Sequence, residues 1–149
     1  MTLSRVVSPW VGLSRASDNF HVRRIDDFGN FASLVALCNG LDTIFHCAGY
    51  AHAFSSLSGD DSAIHRQVNY ELARNVVEAA GQAGVRRFVF LSSVKAMAEP
   101  NNVMAGEDLA GEPATAYGQA KRAAEVTVLE AGQRYGMHVV NLRLAMVYG

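Results

Sequence analysis

A tyrosine and a lysine with the spacing for joint acid–base chemistry stand at the start of a predicted helix. Tyr117 and Lys121 are four residues apart in Tyr-Gly-Gln-Ala-Lys, so both side chains project from one helix face about one turn apart. A phenol whose pKa is about 10 is a poor base at neutral pH, but a nearby ammonium stabilises the phenolate and lowers that pKa. Tyr117 can then exchange a proton with an alcohol or a carbonyl.

Ser93 is a candidate third member of this group. It stands at the end of a predicted strand upstream of the helix, where its hydroxyl can donate a hydrogen bond to the same oxygen. A proton shuttle, a cation that tunes it and an orienting hydroxyl suit a reaction in which carbon gains or loses a hydride carried by a cofactor. The alternative is an ordinary i,i+4 pair on a solvated helix. The position of the pair after a serine-bearing strand favours the acid–base interpretation.

Short apolar runs that alternate with longer stretches of helical period must position these side chains. The predicted strands are 20–25, 41–48, 85–92 and 138–142, and the predicted helices are 28–37, 62–83 and 116–135. Such alternation is typical of parallel strands joined by crossover helices, in a sheet covered on both faces. Residues 1–149 are therefore predicted to form one α/β unit, a doubly wound parallel sheet.

Ligands of such sheets bind beyond the carboxyl ends of the strands. This edge contains Ala48–Gly49, Ser92–Ser93 and the segment after Arg143. The polar loop between the second of these sites and the helix at 116–135 is longer than a connection needs to be. It is therefore a candidate active-site loop.

Composition and charge exclude several classes of protein. The 149 residues are 50% hydrophobic and carry thirteen basic and fourteen acidic side chains, for a formal net charge of −1. Because no run of like charge is present, neither nucleic acid nor a membrane is an expected partner. No apolar stretch reaches the roughly 18 residues of a membrane span, and no secretory signal is visible, so we expect a cytoplasmic protein. Cys38 and Cys47 are expected to stay reduced and to pack, with no metal bound.

Several segments, in order along the chain, resemble the extended short-chain dehydrogenase/reductase family, the NAD-dependent epimerases, dehydratases and reductases. They are 41–49, Val68-Asn69, 79–93, the Tyr117/Lys121 pair and 143–149. The positions of His46, His52 and 92–95 look most like the bacterial branch that acts on nucleoside-diphosphate sugars. The resemblance implies a Rossmann-like NAD(P)-binding domain.

The resemblance also implies a role for each matching residue. Tyr117 would be the general acid/base, Lys121 would bind the nicotinamide ribose and lower the pKa of Tyr117, and Ser93 would hydrogen-bond the reacting sugar oxygen. Contacts with NAD or NADP are implied for Ile25, Asp26, Cys47, Ala48, Gly49, Tyr117, Lys121 and Ala145.

Three further positions carry narrower expectations. Arg24 stands where the family usually has an acidic residue, so the register of the adenine contacts at Ile25 and Asp26 is open by one residue. We interpret His46 as a satisfied core histidine at a strand end. We interpret Asn69 as a buried amide that bridges backbone groups.

Two parts of the family's pattern are missing from the sequence. No glycines form the Gly-x-x-Gly-x-x-Gly turn that follows the family's first strand and holds the cofactor's pyrophosphate. The sequence also stops at Tyr148-Gly149, where the family continues into a C-terminal substrate domain. We therefore expect a partial domain of a longer enzyme, which keeps the three catalytic residues but binds cofactor poorly and turns over little.

The resemblance implies epimerisation, dehydration or reduction of a nucleoside-diphosphate sugar, by a homodimer paired through helices 62–83 and 116–135. A non-catalytic cofactor-binding module is one alternative, and it predicts a disrupted Tyr/Lys pair. A flavodoxin-like or receiver-like regulator is another, and it would need an acidic cluster or phosphate loop that is not visible. NAD and NADP stay undecided, with Arg5 or Arg15 as a candidate cation for a ribose phosphate.

Overall fold

The computed structural model describes residues 23, 25, 27–50, 62–97, 106–107 and 111–145. Its helices are α1 (Phe31–Cys38), α2 (Ser62–His65), α3 (Leu72–Gln82) and α4 (Ala116–Tyr135), and its strands are β1 (Thr43–His46), β2 (Arg87–Ser93) and β3 (His138–Leu144). A π-helical turn, Arg66–Glu71, joins α2 to α3, and a 3-10 turn, Val94–Ala96, follows β2. Outside the described residues lie Arg5, Arg15, Asp26, His52, residues 146–149 and most of the strand predicted at 20–25.

The three strands form one parallel sheet in the order β1-β2-β3. The register pairs His46 with Phe90, Phe90 with Asn141, and Ser92 with Arg143. Parallel pairing places the carboxyl ends of all three strands at the same edge. The α/β class with a parallel, Rossmann-like sheet is therefore confirmed for the described part of the chain.

Local signals in the sequence explain where the helices begin and end. The Asn30 side chain accepts a hydrogen bond from the Ser33 backbone N–H at 3.1 Å, and the Thr115 hydroxyl accepts one from the Gly118 N–H at 3.0 Å. These contacts satisfy backbone donors that a helix start leaves unpaired. Gly136, in the left-handed region at φ +63°, ends α4 where the sequence predicts.

Described helices cover one face of this sheet. Phe88 and Phe90 are fully buried beneath α3 and α4, whereas on the other face Phe45, Val140 and Leu142 are 67%, 48% and 42% exposed. When consecutive right-handed crossovers add strands in the same direction across a sheet, their helices lie on the same face of that sheet. The series β1-α3-β2-α4-β3 has this form, because its strands are adjacent in chain order. The sequence predicts helices on both faces of the sheet. Among the described residues, helices lie on one face only.

His46 belongs to the core beneath these helices. Its ring stacks near Phe88 and Phe90, with centroids 6.1 and 5.7 Å away, and the residue is 6% exposed. Burial, with a smaller contribution from the charge of Lys121, lowers the pKa of His46 to about 4. Its Nε2 atom has no hydrogen-bond partner among the described residues. The prediction of a core histidine is confirmed, but the prediction that its hydrogen bonds are satisfied is wrong at Nε2, because aromatic rings surround it.

No described helix is both long enough and apolar enough to cross a membrane.

Gly118→Ala is expected to destabilise the fold by about 1–3 kcal/mol through overpacking. A Cβ at Gly118 would overlap the carbonyl oxygen of Lys95 and lie 2.9 Å from Cβ of Pro113, so the start of α4 would have to move off the 3-10 turn. Urea unfolding measures the loss. Gly106→Ala is the matched control, because nothing lies within 4 Å of a Cβ there. Equal stability of the two variants would contradict the close approach.

His46→Phe is expected to reduce the loss of stability in acid. The folded pKa is about 4, against an ordinary value of 6.5. The unfolded chain therefore binds the proton more tightly, and stability falls as pH drops through this window. The loss amounts to about 3 kcal/mol by pH 4. Urea unfolding at pH 7 and pH 4 should show a larger loss in the wild type than in the variant by about this amount; identical losses would rule out a buried neutral imidazole.

Candidate active site

The carboxyl ends of the strands and the first turns of α4 enclose a cavity of about 270 Å³. Six of the predicted site residues line it, namely Cys47, Gly49, Ser93, Tyr117, Lys121 and Ala145. Ala48 is exposed between two of them, whereas Ile25 packs against the hydrophobic core. The fold thus brings residues from four separate segments to one place, which is the predicted edge of the sheet.

Lys121 contributes a buried ammonium to this cavity. The residue is 4% exposed, its Nζ donates a hydrogen bond to the Leu91 carbonyl at 2.9 Å, and Nζ lies 4.7 Å from the centroid of the Phe90 ring. Burial lowers the pKa of Lys121, while the negative charge of Glu125 acts in the opposite direction. The ammonium therefore depends on its neighbours to stay charged.

Gly49 lets the backbone approach this ammonium closely. A Cβ on Gly49 would lie 3.4 Å from Nζ of Lys121 and 3.2 Å from Oδ1 of Asn69. Any side chain there would fill the space beside the ammonium, and the absence of one leaves room for a ligand.

Ser93 ends β2 and caps the 3-10 turn that follows. Its Oγ accepts a hydrogen bond from the Lys95 backbone N–H at 3.2 Å. Because this contact uses an acceptor lone pair, the hydroxyl hydrogen can still be donated toward the cavity. No hydrogen bond directly joins Ser93, Tyr117 and Lys121 to one another in the described part of the chain, so a ligand oxygen would have to bridge them.

Tyr117 lies in the first turn of α4, with its ring against a residue that sequence reasoning missed. The ring of His65 meets the Tyr117 ring edge-on, with centroids 5.6 Å apart, and contacts the Tyr50 ring at 5.3 Å. His65 is 8% exposed and stands on α2, far from Tyr117 along the chain. The sequence signal that could have revealed His65 is its spacing of four residues from Asn69, which places both side chains on the same face of a helix.

Asn69 makes two hydrogen bonds with the segment that follows β1. Its Oδ1 accepts from the Tyr50 N–H at 2.8 Å and its Nδ2 donates to the Tyr50 carbonyl at 2.9 Å. The prediction of a buried bridging amide is confirmed by these contacts. Since they fix Nδ2 as a donor, the His65 Nδ1 atom 3.1 Å away must be the acceptor of this hydrogen bond. Asn69 lies in the π-helical turn, a feature frequent at functional sites.

Glu125 is the second residue that the sequence did not reveal. It is 1% exposed, and its carboxylate accepts hydrogen bonds from Ser92 Oγ at 2.6 Å, Arg143 Nε at 3.0 Å, Arg143 Nη2 at 2.9 Å and Arg122 Nη1 at 3.3 Å. Burial alone raises the pKa of Glu125, but the hydrogen bonds from Arg143 and Ser92 outweigh burial and the net direction is downward. The side chain is therefore a carboxylate at neutral pH.

The described ranges contain no group of three His, Cys, Asp or Glu side chains arranged to hold a metal ion. The chemistry of the cavity rests on a phenol, an ammonium and a hydroxyl at one edge of a parallel sheet. This set can move a proton at an alcohol or carbonyl oxygen.

Comparison with known proteins identifies relatives of this chain. UDP-glucose 4-epimerase of Vibrio cholerae is 31% identical over 110 residues, which is 71% of this chain and 33% of that protein. A 3-beta-hydroxysteroid dehydrogenase of Mycolicibacterium neoaurum is 29% identical over 136 residues, 84% of this chain and 36% of that protein. The solved structure of MoeE5 in complex with UDP-glucuronic acid and NAD aligns with a TM-score of 0.68 and 30% identity, over 89% of this chain and 44% of that one.

The chain thus spans less than half the length of these relatives. Residues 3–149 match the model of a family described as NAD dependent epimerase/dehydratase. The match runs over nearly the whole sequence, and the resemblance read from the residues is confirmed. The chain belongs to the NAD dependent epimerase/dehydratase family.

Proposed function

We propose that this chain supplies the catalytic part of an NAD(P)-dependent enzyme that epimerises, dehydrates or reduces a nucleoside-diphosphate sugar. The observation that carries the proposal is the cavity where Ser93, Tyr117 and Lys121 meet, although they come from a strand end and a helix start. A non-catalytic binding module would not need this set.

The residues of the cavity fit the reacting end of a nicotinamide cofactor. The side-chain-free Gly49 backbone lies beside the Lys121 ammonium, which can donate to ribose hydroxyls. The cavity, of about 270 Å³, has room for only part of a dinucleotide, which would be its reacting end. When bound, the cofactor supplies hydride transfer. NAD is favoured because it is the cofactor in the MoeE5 complex, and NADP remains the alternative.

Each of the three side chains then has one task. Tyr117 takes the proton from a sugar hydroxyl during oxidation and returns it during reduction. Lys121 stabilises the phenolate form of Tyr117 by its positive charge and holds the cofactor ribose. Ser93 donates its hydroxyl hydrogen to the sugar oxygen and keeps that oxygen in line with Tyr117.

Sugar nucleotides are the proposed substrate class because the Vibrio relative is a UDP-glucose 4-epimerase and the MoeE5 structure contains UDP-glucuronic acid. The 3-beta-hydroxysteroid dehydrogenase relative is named for a different class of alcohol substrate, a hydroxysteroid. Both kinds of substrate present a secondary alcohol, on which the same three side chains can act.

The homodimer and the cytoplasmic location stay predictions. On α4, Val126 and Leu129 are 44% and 49% exposed, and a groove of about 690 Å³ runs between this helix and α2. The groove contains none of the predicted catalytic residues. The exposed apolar side chains of Val126 and Leu129 would favour helix pairing between two copies of the chain.

NAD is expected to protect Cys47 from alkylation. Cys47 is exposed and lines the cavity, so the expectation that it packs is wrong, because it follows the end of β1 at the open edge of the sheet. Cys38 is buried as expected and serves as an internal control within the same molecule. Peptide mapping by mass spectrometry after timed iodoacetamide treatment gives both rates. Millimolar NAD should slow the reaction of Cys47 severalfold and leave that of Cys38 unchanged. Equal Cys47 rates with and without NAD would contradict cofactor binding at this cavity.

Tyr117→Phe is expected to lower kcat by about 10² to 10⁴, because the ring stays and the proton shuttle is lost. The measurement is the turnover of UDP-sugars with NAD by the full-length gene product that contains these residues. Tyr70→Phe is the matched control, since the Tyr70 ring lines the groove on the other side of α4. Near-normal turnover by Tyr117→Phe would refute the assigned role.

A further inference from the structure

A buried carboxylate lies one helical turn beyond the ammonium of the site. Glu125 and Lys121 are both on α4 and are 1% and 4% exposed. The acid–base roles proposed above do not use Glu125. A buried charge costs several kcal/mol unless it is paired and hydrogen-bonded, so a carboxylate in this position calls for a physical reason.

The hydrogen bonds of Glu125 join three of the four segments that build the cavity. Ser92, which donates to Oε1, precedes the candidate Ser93 at the end of β2. Arg143, which donates to both carboxylate oxygens, stands near the end of β3 and also donates to the Glu107 carbonyl at 2.8 Å. One carboxylate on α4 thus holds the helix against the ends of both strands.

Glu125 is also the carboxylate that acts on Lys121 among the described residues. The other titratable or charged groups around the ammonium are His46 and Cys47 from β1 and its end, Tyr117 and Arg122 from α4, and Arg143 from β3. A negative charge on Cys47 would act on Lys121 in the same direction as Glu125. His46 is neutral above about pH 4 and cannot balance a cation. Arg122 and Arg143 have the same sign as Lys121, and both are themselves paired with Glu125.

We propose that Glu125 is a positioning residue, which keeps Lys121 charged at neutral pH and sets α4 at the distance from β2 and β3 that the cavity requires. The inference rests on the proposed function for the task of Lys121. Without Glu125, the desolvated ammonium loses its proton more readily, and Tyr117 then lacks the cation that stabilises its phenolate.

The test reads the charge of Lys121 directly and needs no turnover. Lys95 and Lys121 are the two lysines of the sequence, so lysine labelled with ¹³C at Cε gives one signal from each in an NMR titration of the 149-residue chain. In Glu125→Gln the Lys121 midpoint should move to lower pH than in the wild type, and the Lys95 midpoint should stay in place. An unmoved Lys121 midpoint would overturn the proposal.

Two further variants separate charge from packing. Ser92→Ala removes one hydrogen bond to Glu125, and Glu125→Asp shortens the side chain, but both keep the negative charge, so the Lys121 midpoint should remain near the wild-type value. A downward shift as large as that of Glu125→Gln in either variant would show a merely structural role. If Glu125→Gln does not fold, Glu125→Gln/Arg143→Gln removes the carboxylate together with its cationic partner, and the Lys121 midpoint should then be lower than in Arg143→Gln alone.

The outcome is independent of the proposed function. If no sugar nucleotide is turned over but the Lys121 midpoint falls in Glu125→Gln, the proposed function fails and the electrostatic role of Glu125 stands. If turnover is present and the midpoint does not move, the reverse holds. In an active protein, Glu125→Gln should also move the alkaline limb of the kcat/KM profile to lower pH, and Ser92→Ala should not.

Discussion

Opposite charges buried on successive turns of α4 are the constraint around which the candidate site is built. The ammonium of Lys121 is 4% exposed and lies over the ring of Phe90, and the carboxylate of Glu125 lies one turn further along. Neither charge is stable alone in such surroundings, because desolvation penalises each. Arg143 and Ser92 complete the hydrogen bonding of Glu125, so the electrostatic balance also fixes where the strands end relative to the helix.

Parallel topology explains why so few residues are enough to assemble the cavity. When β1, β2 and β3 run in the same direction, each strand delivers its last residues to the same edge. The hydrogen bonds of the Asn69 side chain with the Tyr50 backbone hold the segment after β1, and Ser93 caps the turn after β2. The edge is therefore a set of strand ends, each held by a side chain of a neighbouring helix or turn.

Much of this arrangement could be predicted from local patterns. The spacing of Tyr117 and Lys121 implied a shared helix face, and the observed bounds of α4 agree with the predicted 116–135. The apolar run before Ser93 correctly indicated a central strand, and the amide of Asn69 has the bridging role expected of it. These features depend on residues that are neighbours within one element, where helix and strand geometry converts spacing into position.

The sequence by itself determined the class of fold, the order of the elements and the reactive side chains, because apolar periodicity and i,i+4 spacing are local properties. Only the tertiary structure decided which distant residues meet them. Glu125 pairs with Arg143, 18 residues away, and with Ser92, 33 residues away. His65 packs on Tyr117, and His46 is enclosed by aromatic rings with Nε2 unpaired. Such contacts depend on how helices dock on a sheet, and sequence spacing does not encode that docking.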